Sequence, residues 1–295
     1  MVGWKFVTVV PAAAVENFTA AVEALCPTVA YFEVPGSTLW RIEGYAGEMP
    51  PHADAAAAIA IAAAQSGIAE PEFTCVPLPD VDWVVENQES FKPLTAGRYF
   101  IRPSHFDGKS PHGSISLTVD AGAAFGTGEH ATTKSCLVAI DWLAKRRQYR
   151  RLLDLGCGTG ILAMAMAATW RHHVTAADID PQSVAVAREN AVVNGLAGLT
   201  RFGRSDGFAG HAVRHGSPYD LIAANILAKP LVSLARPLSN RLAPGGAVIL
   251  SGLLAHQENA VRNAYREQGL FLWRRVALDG WHTLIMRRRP GGPGS

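Results

Sequence analysis

The stretch Leu152-Leu153-Asp154-Leu155-Gly156-Cys157-Gly158-Thr159-Gly160-Ile161 is a short apolar run that ends in alternating glycines and opens into a helical pattern. An apolar run of this length bounded by glycine reads as a buried strand. Glycines at its end give the chain positive φ and let a ligand approach the backbone closely. Asp178 stands 22 positions after Gly156, near the end of the next strand-like run. A carboxylate about 20 residues downstream is suited to holding both hydroxyls of a ribose. Strand, glycine turn, helix and acid together predict an α/β unit that binds a nucleoside-bearing ligand. The third glycine decides which kind. A dinucleotide fingerprint wants Gly-x-Gly-x-x-Gly, with the last glycine allowing close helix packing. Here Ile161 holds that place and the third glycine, Gly160, comes one residue early.

Working outward, strand-like runs alternate with helical ones. The strands are Arg151 to Leu155, His173 to Ala177, Leu199 to Phe202, Tyr219 to Ala224 and Ala247 to Ser251, with helical patterns between them. Such alternation predicts a mainly parallel, doubly wound sheet with helices on both faces. Phe271 to Ala277 and Trp281 to Arg287, joined near Asp279-Gly280, predict an antiparallel hairpin at the end of the sheet. The first 80 residues show the order β-α-β-β-α-β of a ferredoxin-like unit, with turn chemistry at Pro35-Gly36. The expected organisation is a small α+β domain over residues 1–80, a linker over 81–105, a larger α/β domain over 106–289 and a flexible tail over 290–295.

At 295 residues the chain is long enough for two cores. Its longest apolar run, Ala55 to Ala64, is about half the ~20 residues needed to cross a bilayer. Met1 to Lys5 shows no secretion-signal pattern, so a cytoplasmic location is expected. Cys26, Cys75, Cys136 and Cys157 are scattered, which predicts reduced thiols and neither a disulfide scaffold nor a metal site. Charge is uneven. Residues 1–95 carry three basic residues (Lys5, Arg41, Lys92) against twelve acidic ones, a balance of −9, whereas the remainder carries 24 against 13, or +11. An acidic N-terminal part repels nucleic-acid phosphate and attracts a basic protein.

Gly-x-Gly-x-Gly after Asp154 resembles motif I of the S-adenosylmethionine-dependent methyltransferases, and the terminal hairpin resembles their sixth and seventh strands. Upstream lies Ala124-Phe125-Gly126-Thr127-Gly128-Glu129-His130-Ala131-Thr132-Thr133-Lys134, and Asn225-Ile226-Leu227-Ala228 closes the fourth strand of the parallel series. With Asp178-Ile179-Asp180-Pro181 and Asn190 to Gly195, these stretches closely resemble the ribosomal protein L11 methyltransferases over nearly the whole chain, most specifically across Phe125 to Thr133. The resemblance implies a seven-stranded Rossmann-like class I methyltransferase domain preceded by a small ferredoxin-like domain that grips the ribosomal protein. It implies S-adenosyl-L-methionine as cofactor and methylation of the α-amine and of lysine side chains. Carried over by position, Thr133, Gly156, Asp178 and Asn225 contact the cofactor, with Asp178 on the ribose, Gly156 at the amino-acid moiety and Asn225 beside the reactive methyl. Phe125, Gly126, Thr127 and Gly158 join the cofactor site on the same resemblance. Many amino-group methyltransferases have Asn-Pro-Pro-Tyr where this chain has Asn225-Ile226-Leu227-Ala228, so what else holds the target nitrogen is open.

Several side chains carry two readings. His130 and Glu129 are the nearest proton acceptors by sequence, although a loop histidine also serves simply by bonding the backbone, and a loop carboxylate is usually solvated. Asp206 is placed to accept from the adenine amino group or to cap a turn. Cys157, between glycines with no base beside it, reads as a small residue and not a nucleophile. The expected partner is ribosomal protein L11, free and not ribosome-bound, with no direct nucleic-acid contact, no membrane, no metal and a monomeric enzyme. Another lysine-bearing protein or a small amine remains an alternative substrate. A non-catalytic binding protein with a vestigial cofactor fold remains an alternative of another class.

Overall fold

The computed structural model describes residues 3–34, 36–78, 92–120 and 130–290. The chain divides into two compact units, Met1–Trp83 and Val84–Ser295.

In the smaller unit the order is β1 (Trp4–Pro11), α1 (Val15–Glu23), β2 (Thr28–Glu33), β3 (Leu39–Ala46), α2 (His52–Ser66) and β4 (Phe73–Pro77). The strands form one antiparallel sheet in the order β2-β3-β1-β4, the ferredoxin-like arrangement. Strand period decides which face is covered, since alternate residues point to opposite sides. Phe6, Val10 and Ile42 turn inward and pack with Phe18 and Val22 of α1 and Ala55, Ile59, Ala62 and Ala63 of α2. The alanine-rich run is thus a core-facing helix. A side chain at Gly44 would strike Val22 Cγ1 at 2.6 Å, so glycine there lets α1 lie close on the sheet.

The larger unit carries a seven-stranded sheet ordered β10-β9-β8-β11-β12-β14-β13. Its strands are β8 (Leu152–Leu155), β9 (Val174–Asp178), β10 (Thr200–Arg204), β11 (Tyr219–Asn225), β12 (Leu242–Leu254), β13 (Leu270–Leu278) and β14 (Trp281–Arg288). The first five are parallel. β14 runs antiparallel between β12 and β13, so the last strand of the hairpin, not the first, joins the sheet. One face is covered by α3 (Ala131–Ala144), α4 (Ile161–Trp170) and α5 (Pro181–Val193), and the other by α6 (His211–His215), α7 (Ala228–Asn240) and α8 (Glu258–Glu267). Burial on both faces explains why β8 and β11 show no apolar–polar alternation. α4 is buried on every side through its first seven residues, and so its sequence, ILAMAMA, shows no polar stripe.

The linker expected over 81–105 is corrected by the structure. β5 (Leu94–Ala96) and β6 (Tyr99–Arg102) lie inside it and pair with β7 (Ile115–Thr118) in a small separate sheet. Ala96, Tyr99, Ile101 and Leu117 are buried in the same core cluster as Leu137 and Ile140 of α3. The larger unit therefore starts well before residue 106. Strands of three and four residues are too short to display alternation, and what holds them is packing against α3, invisible in local pattern. Among the described residues no helix is long and apolar enough to cross a membrane, and no group of His, Cys, Asp or Glu is arranged to hold a metal ion.

Candidate active site

β8 leads to β9 and β10 on one side of the sheet, while β11 sits on the other, so the strand order reverses between β8 and β11. Ligands of open α/β sheets bind outside the carboxyl ends of the strands at such a point. Gly156 follows β8 and Asn225 closes β11, the two chain positions that flank it.

The turn after β8 is built by main-chain groups. Gly156 and Cys157 donate their N–H groups to the Ala177 carbonyl at 2.8 and 3.0 Å, tying the turn to the end of β9. Gly156, Gly158 and Gly160 all have positive φ, at 73°, 50° and 79°. A side chain at Gly160 would lie 2.9 Å from Ala187 Cβ and 3.0 Å from Phe202 Cε1, so the early third glycine serves helix packing. At Gly156 a Cβ would meet Ile226 Cγ2 at 2.3 Å. Asp178 accepts from the Gly158 N–H at 2.9 Å through Oδ2 and from the Asp180 N–H at 3.0 Å through Oδ1. Asp180 in turn caps α5, accepting from the N–H groups of Gln182 and Ser183, with Pro181 at the first helical position.

Beneath the turn, Asp154 is fully buried. Its Oδ2 accepts from the Ala163 N–H at 2.9 Å, while Oδ1 finds no partner among the described residues. Burial, opposed by that hydrogen bond and reinforced by the Asp178 charge, pushes its carboxyl up to about 7. The Cys157 thiol is buried, and desolvation with the neighbouring Asp154 and Asp178 charges drives its pKa far up, which excludes a ready thiolate.

A cavity of about 490 Å³ opens over this turn. Thr133, Gly156, Gly158, Asp178, Asp206 and Asn225 all line it, bringing six of the expected site residues together. A second cavity, about 280 Å³, is lined by His130, Thr132, Asn225, Ile226, Leu227, Gly252 and Trp281. Asn225, Ile226 and Leu227 belong to both walls. Asn225 Nδ2 donates to Thr132 Oγ1 at 3.3 Å and reaches Thr133 Oγ1 at 3.5 Å, while its buried Oδ1 has no partner among the described residues. His130 caps α3, its Nδ1 lying 2.8 Å from Thr132 Oγ1 and accepting from the Thr132 N–H, and its ring meets Trp281 edge-on at 5.0 Å. The turn after β10 is held by Ser205, whose hydroxyl donates to the Gly207 carbonyl and accepts from the Gly210 N–H, each at 2.8 Å. Asp206 itself is exposed at the cavity wall. Phe125, Gly126, Thr127 and Glu129 lie outside the described residues.

Gly252 and Trp281 were not legible as site residues. At Gly252, φ is 86° and a Cβ would sit 2.3 Å from the Ile226 carbonyl oxygen, so this glycine brings β12 against the Asn225-Ile226 turn. Trp281 follows the Asp279-Gly280 turn, which announces a hairpin but not a cavity wall.

The fit to S-adenosylmethionine rests on these groups. The larger cavity falls within the roughly 300–1,000 Å³ of small-molecule sites. The Asp178 carboxylate retains acceptor capacity for two hydroxyls, the turn at Gly156 and Gly158 presents backbone, and no phosphate-sized basic cluster lines the wall among the described residues.

A parallel sheet closed by an inserted antiparallel strand, with a glycine turn and an acid at its switch point, defines a methyltransferase of the seven-stranded α/β class. Residues 18–289 match the model of the family Ribosomal protein L11 methyltransferase (PrmA), and the chain belongs to that family. It is 40% identical over 260 residues to a ribosomal protein L11 methyltransferase of Rhodopseudomonas palustris, covering 88% of this chain and 87% of that one. A relative of the same name from a Caulobacter species is 43% identical over 211 residues, 72% of this chain and 73% of the relative. The crystal structure of a ribosomal protein L11 methylase from Lactobacillus delbrueckii subsp. bulgaricus superposes with a TM-score of 0.61 at 28% identity, covering 68% of this chain and 100% of that chain.

Proposed function

We propose that this chain transfers methyl groups from S-adenosyl-L-methionine to amino groups of ribosomal protein L11, both the α-amine and lysine side chains. The observation that carries this reading is Asn225, which stands in the wall common to two cavities with a buried carbonyl oxygen awaiting a donor. Asp178 would hold the ribose hydroxyls, the Gly156 to Gly158 backbone the amino-acid end, Asp206 the adenine amino group, and Thr133 the wall next to Asn225. Bound there, S-adenosylmethionine supplies a methyl group already activated on a sulfonium.

The protein must then present a neutral amine in line and keep water out. At pH 7 deprotonation costs about 1 kcal/mol for an α-amine of pKa ~7.8 and about 4.6 kcal/mol for a lysine of pKa ~10.4. The smaller cavity favours the neutral form. No carboxylate lines it among the described residues, and Ile226, Leu227 and Trp281 make its wall largely apolar. Such a wall penalises the ammonium and lowers the amine's pKa. Asn225 Oδ1 accepts one N–H of the entering amine and so aims the nitrogen lone pair at the methyl. His130 Nδ1 already accepts from the Thr132 N–H, so that nitrogen orients and does not abstract.

The smaller unit is proposed to dock the substrate protein. The face of its sheet opposite the helices exposes Val9, Phe32, Leu39 and Val76, each between 39% and 47% accessible, around the Lys5–Glu43–Arg41 ion pairs. With two basic against ten acidic residues over 1–83, this acidic unit suits a free, lysine-rich ribosomal protein better than one already seated on RNA. Incubating the chain with ribosomal protein L11 and labelled S-adenosylmethionine, then mapping the modified nitrogens, tests the reading. Label on the α-amine and lysines is expected, and an unlabelled protein in the presence of bound cofactor would sink it.

A further inference from the structure

Behind Asn225 lies a buried chain of hydroxyls that the reaction as described does not use. Ser135 on α3, Ser251 on β12 and Thr283 on β14 are each 0% exposed. Ser135 Oγ donates to the Thr132 carbonyl at 3.0 Å, Thr283 Oγ1 lies 2.6 Å from Ser135 Oγ, and Ser251 Oγ lies 2.6 Å from Thr283 Oγ1. Ser251 Oγ also lies 3.5 Å from the Thr132 carbonyl, so the chain closes on that oxygen from both ends, at 3.0 Å through Ser135 and at 3.5 Å through Ser251. Only the carbonyl cannot donate, so in either direction the run of hydroxyl protons ends on it.

The same residue, Thr132, ends a second chain on its side-chain oxygen. His130 Nδ1 accepts from the Thr132 N–H, so the ring nitrogen is unprotonated and the Thr132 hydroxyl donates to it over 2.8 Å. Thr132 Oγ1 is then an acceptor for Asn225, and the group that reaches it at 3.3 Å is Nδ2. The amide of Asn225 has only one orientation that meets this demand. Nδ2 faces α3, and Oδ1 faces away from it, buried and without a partner among the described residues.

We propose that Thr283, with Ser135 and Ser251, is a positioning residue for the methyl transfer. The hydroxyl chain clamps the first turn of α3 to β12 and β14 through the Thr132 carbonyl. Thr132 in turn sets the amide of Asn225 so that a carbonyl oxygen, not an NH₂ group, meets the incoming amine. An amide turned the other way would offer N–H to N–H and repel the nucleophile. β12 adds to the clamp independently, since Ser251 lies opposite Asn225 in the sheet and its carbonyl accepts from the Ile226 N–H at 3.1 Å. Neither Thr283 nor Ser135 lines either cavity, so their effect reaches the reaction only through Thr132 and Asn225.

The proposal rests on the amine-methylation reading and is tested on the full chain with ribosomal protein L11 as substrate. Thr283→Val keeps shape and removes the hydroxyl. It is expected to lower kcat about 10- to 100-fold, as small displacements of a reacting group do, with cofactor affinity measured by calorimetry unchanged. Thr283→Ser restores the hydroxyl and is expected to keep kcat within about twofold of wild type. Ser135→Ala, which deletes the nearer of the two hydroxyl donors to the Thr132 carbonyl, should follow Thr283→Val. A Thr283→Val enzyme with a lower melting temperature but undiminished kcat would overturn the proposal, as would a Thr283→Ser enzyme as slow as the valine variant. If neither the valine nor the alanine variant folds, the wild-type protein decides. The side-chain NH₂ protons of Asn225 should show nuclear Overhauser contacts to the Thr132 side chain, and their absence would refute the orientation. Failure of wild type to methylate the ribosomal protein would sink the amine-methylation reading, whereas each test here compares variants or reads the amide directly.

Discussion

The backbone N–H of Gly158 and the carboxylate of Asp178 meet at 2.9 Å, so the acid that would hold a ribose also braces the turn beneath it. Asp178→Ala removes both functions. Hydrogen bonds to a charged group contribute about 1.5–3 kcal/mol each, so affinity for S-adenosylmethionine should fall at least about tenfold by calorimetry. Undiminished affinity would show that Asp178 serves the turn alone.

Ile226 is held between two glycines, and the two should not tolerate alanine equally. At Gly156 the added methyl meets the end of a side chain, Ile226 Cγ2, whereas at Gly252 it meets the Ile226 carbonyl oxygen, with the carbonyl carbon at 2.8 Å. A side chain rotates away more easily than a main chain moves. Both positions have positive φ, which alone costs roughly 1–2 kcal/mol for a non-glycine residue. Gly252→Ala is therefore expected to lower the melting temperature more than Gly156→Ala, and the reverse order would place the rigid contact on the wrong side. Gly156→Arg fills the turn and should abolish methylation.

Asn225→Ala deletes the side-chain oxygen that has no partner among the described residues and the bonds to Thr132 and Thr133. By analogy with the loss of one positioned polar group in other active sites, kcat should drop by about 10²–10³. Steady-state kinetics alongside cofactor binding checks this, because a variant that merely failed to bind cofactor would raise KM for it and spare kcat.

The neutral-amine requirement gives the rate a pH signature. Initial rates on the α-amine should climb with pH and level off near or below ~7.8, while rates on lysine should keep climbing, each by about tenfold per unit below its pKa. Rates on both amines that were flat from pH 6 to 8 would contradict selection for the neutral form.

Stability should be shaped by carboxylates pulling in opposite directions. Burial chiefly resists ionisation of Glu258 and Asp141, yet Arg275 and His282 around Glu258, and Lys145 and Arg98 around Asp141, hold both carboxyls below their ordinary range. Their contribution is present above about pH 4.5 and is lost as pH falls through their folded values. Asp154 acts the other way. Its folded value of about 7 means that the stability from its protonated form is complete below the unfolded value and is lost as pH rises through 7. A melting-temperature maximum near about pH 4 to 4.5 follows, since the Asp154 contribution already declines from its unfolded value up to about 7. Asp154→Asn should flatten the decline between about pH 4.5 and 7, and an unchanged decline would exclude Asp154 as its source.

Much of the larger unit was legible because its signals are local. An apolar run, a glycine turn and an acid after the next strand carry their geometry in spacing alone, and β8, β9 and β11 stand where that spacing puts them. β5 and β6 were hidden because three or four residues cannot show a period, and their burial depends on α3, whose residues come later in the chain. Trp281 and Gly252 were hidden for a related reason. Each looks like a feature of a turn or strand until the sheet folds β12 and β14 back against the end of β11, and no local pattern encodes which strand ends become neighbours.

Ile226 has a last consequence as a partition. Its side chain backs onto Gly156 and its carbonyl onto Gly252, and with Asn225 and Leu227 it stands in the wall of both chambers. An occupant of either chamber therefore rests against the same short stretch of chain as an occupant of the other.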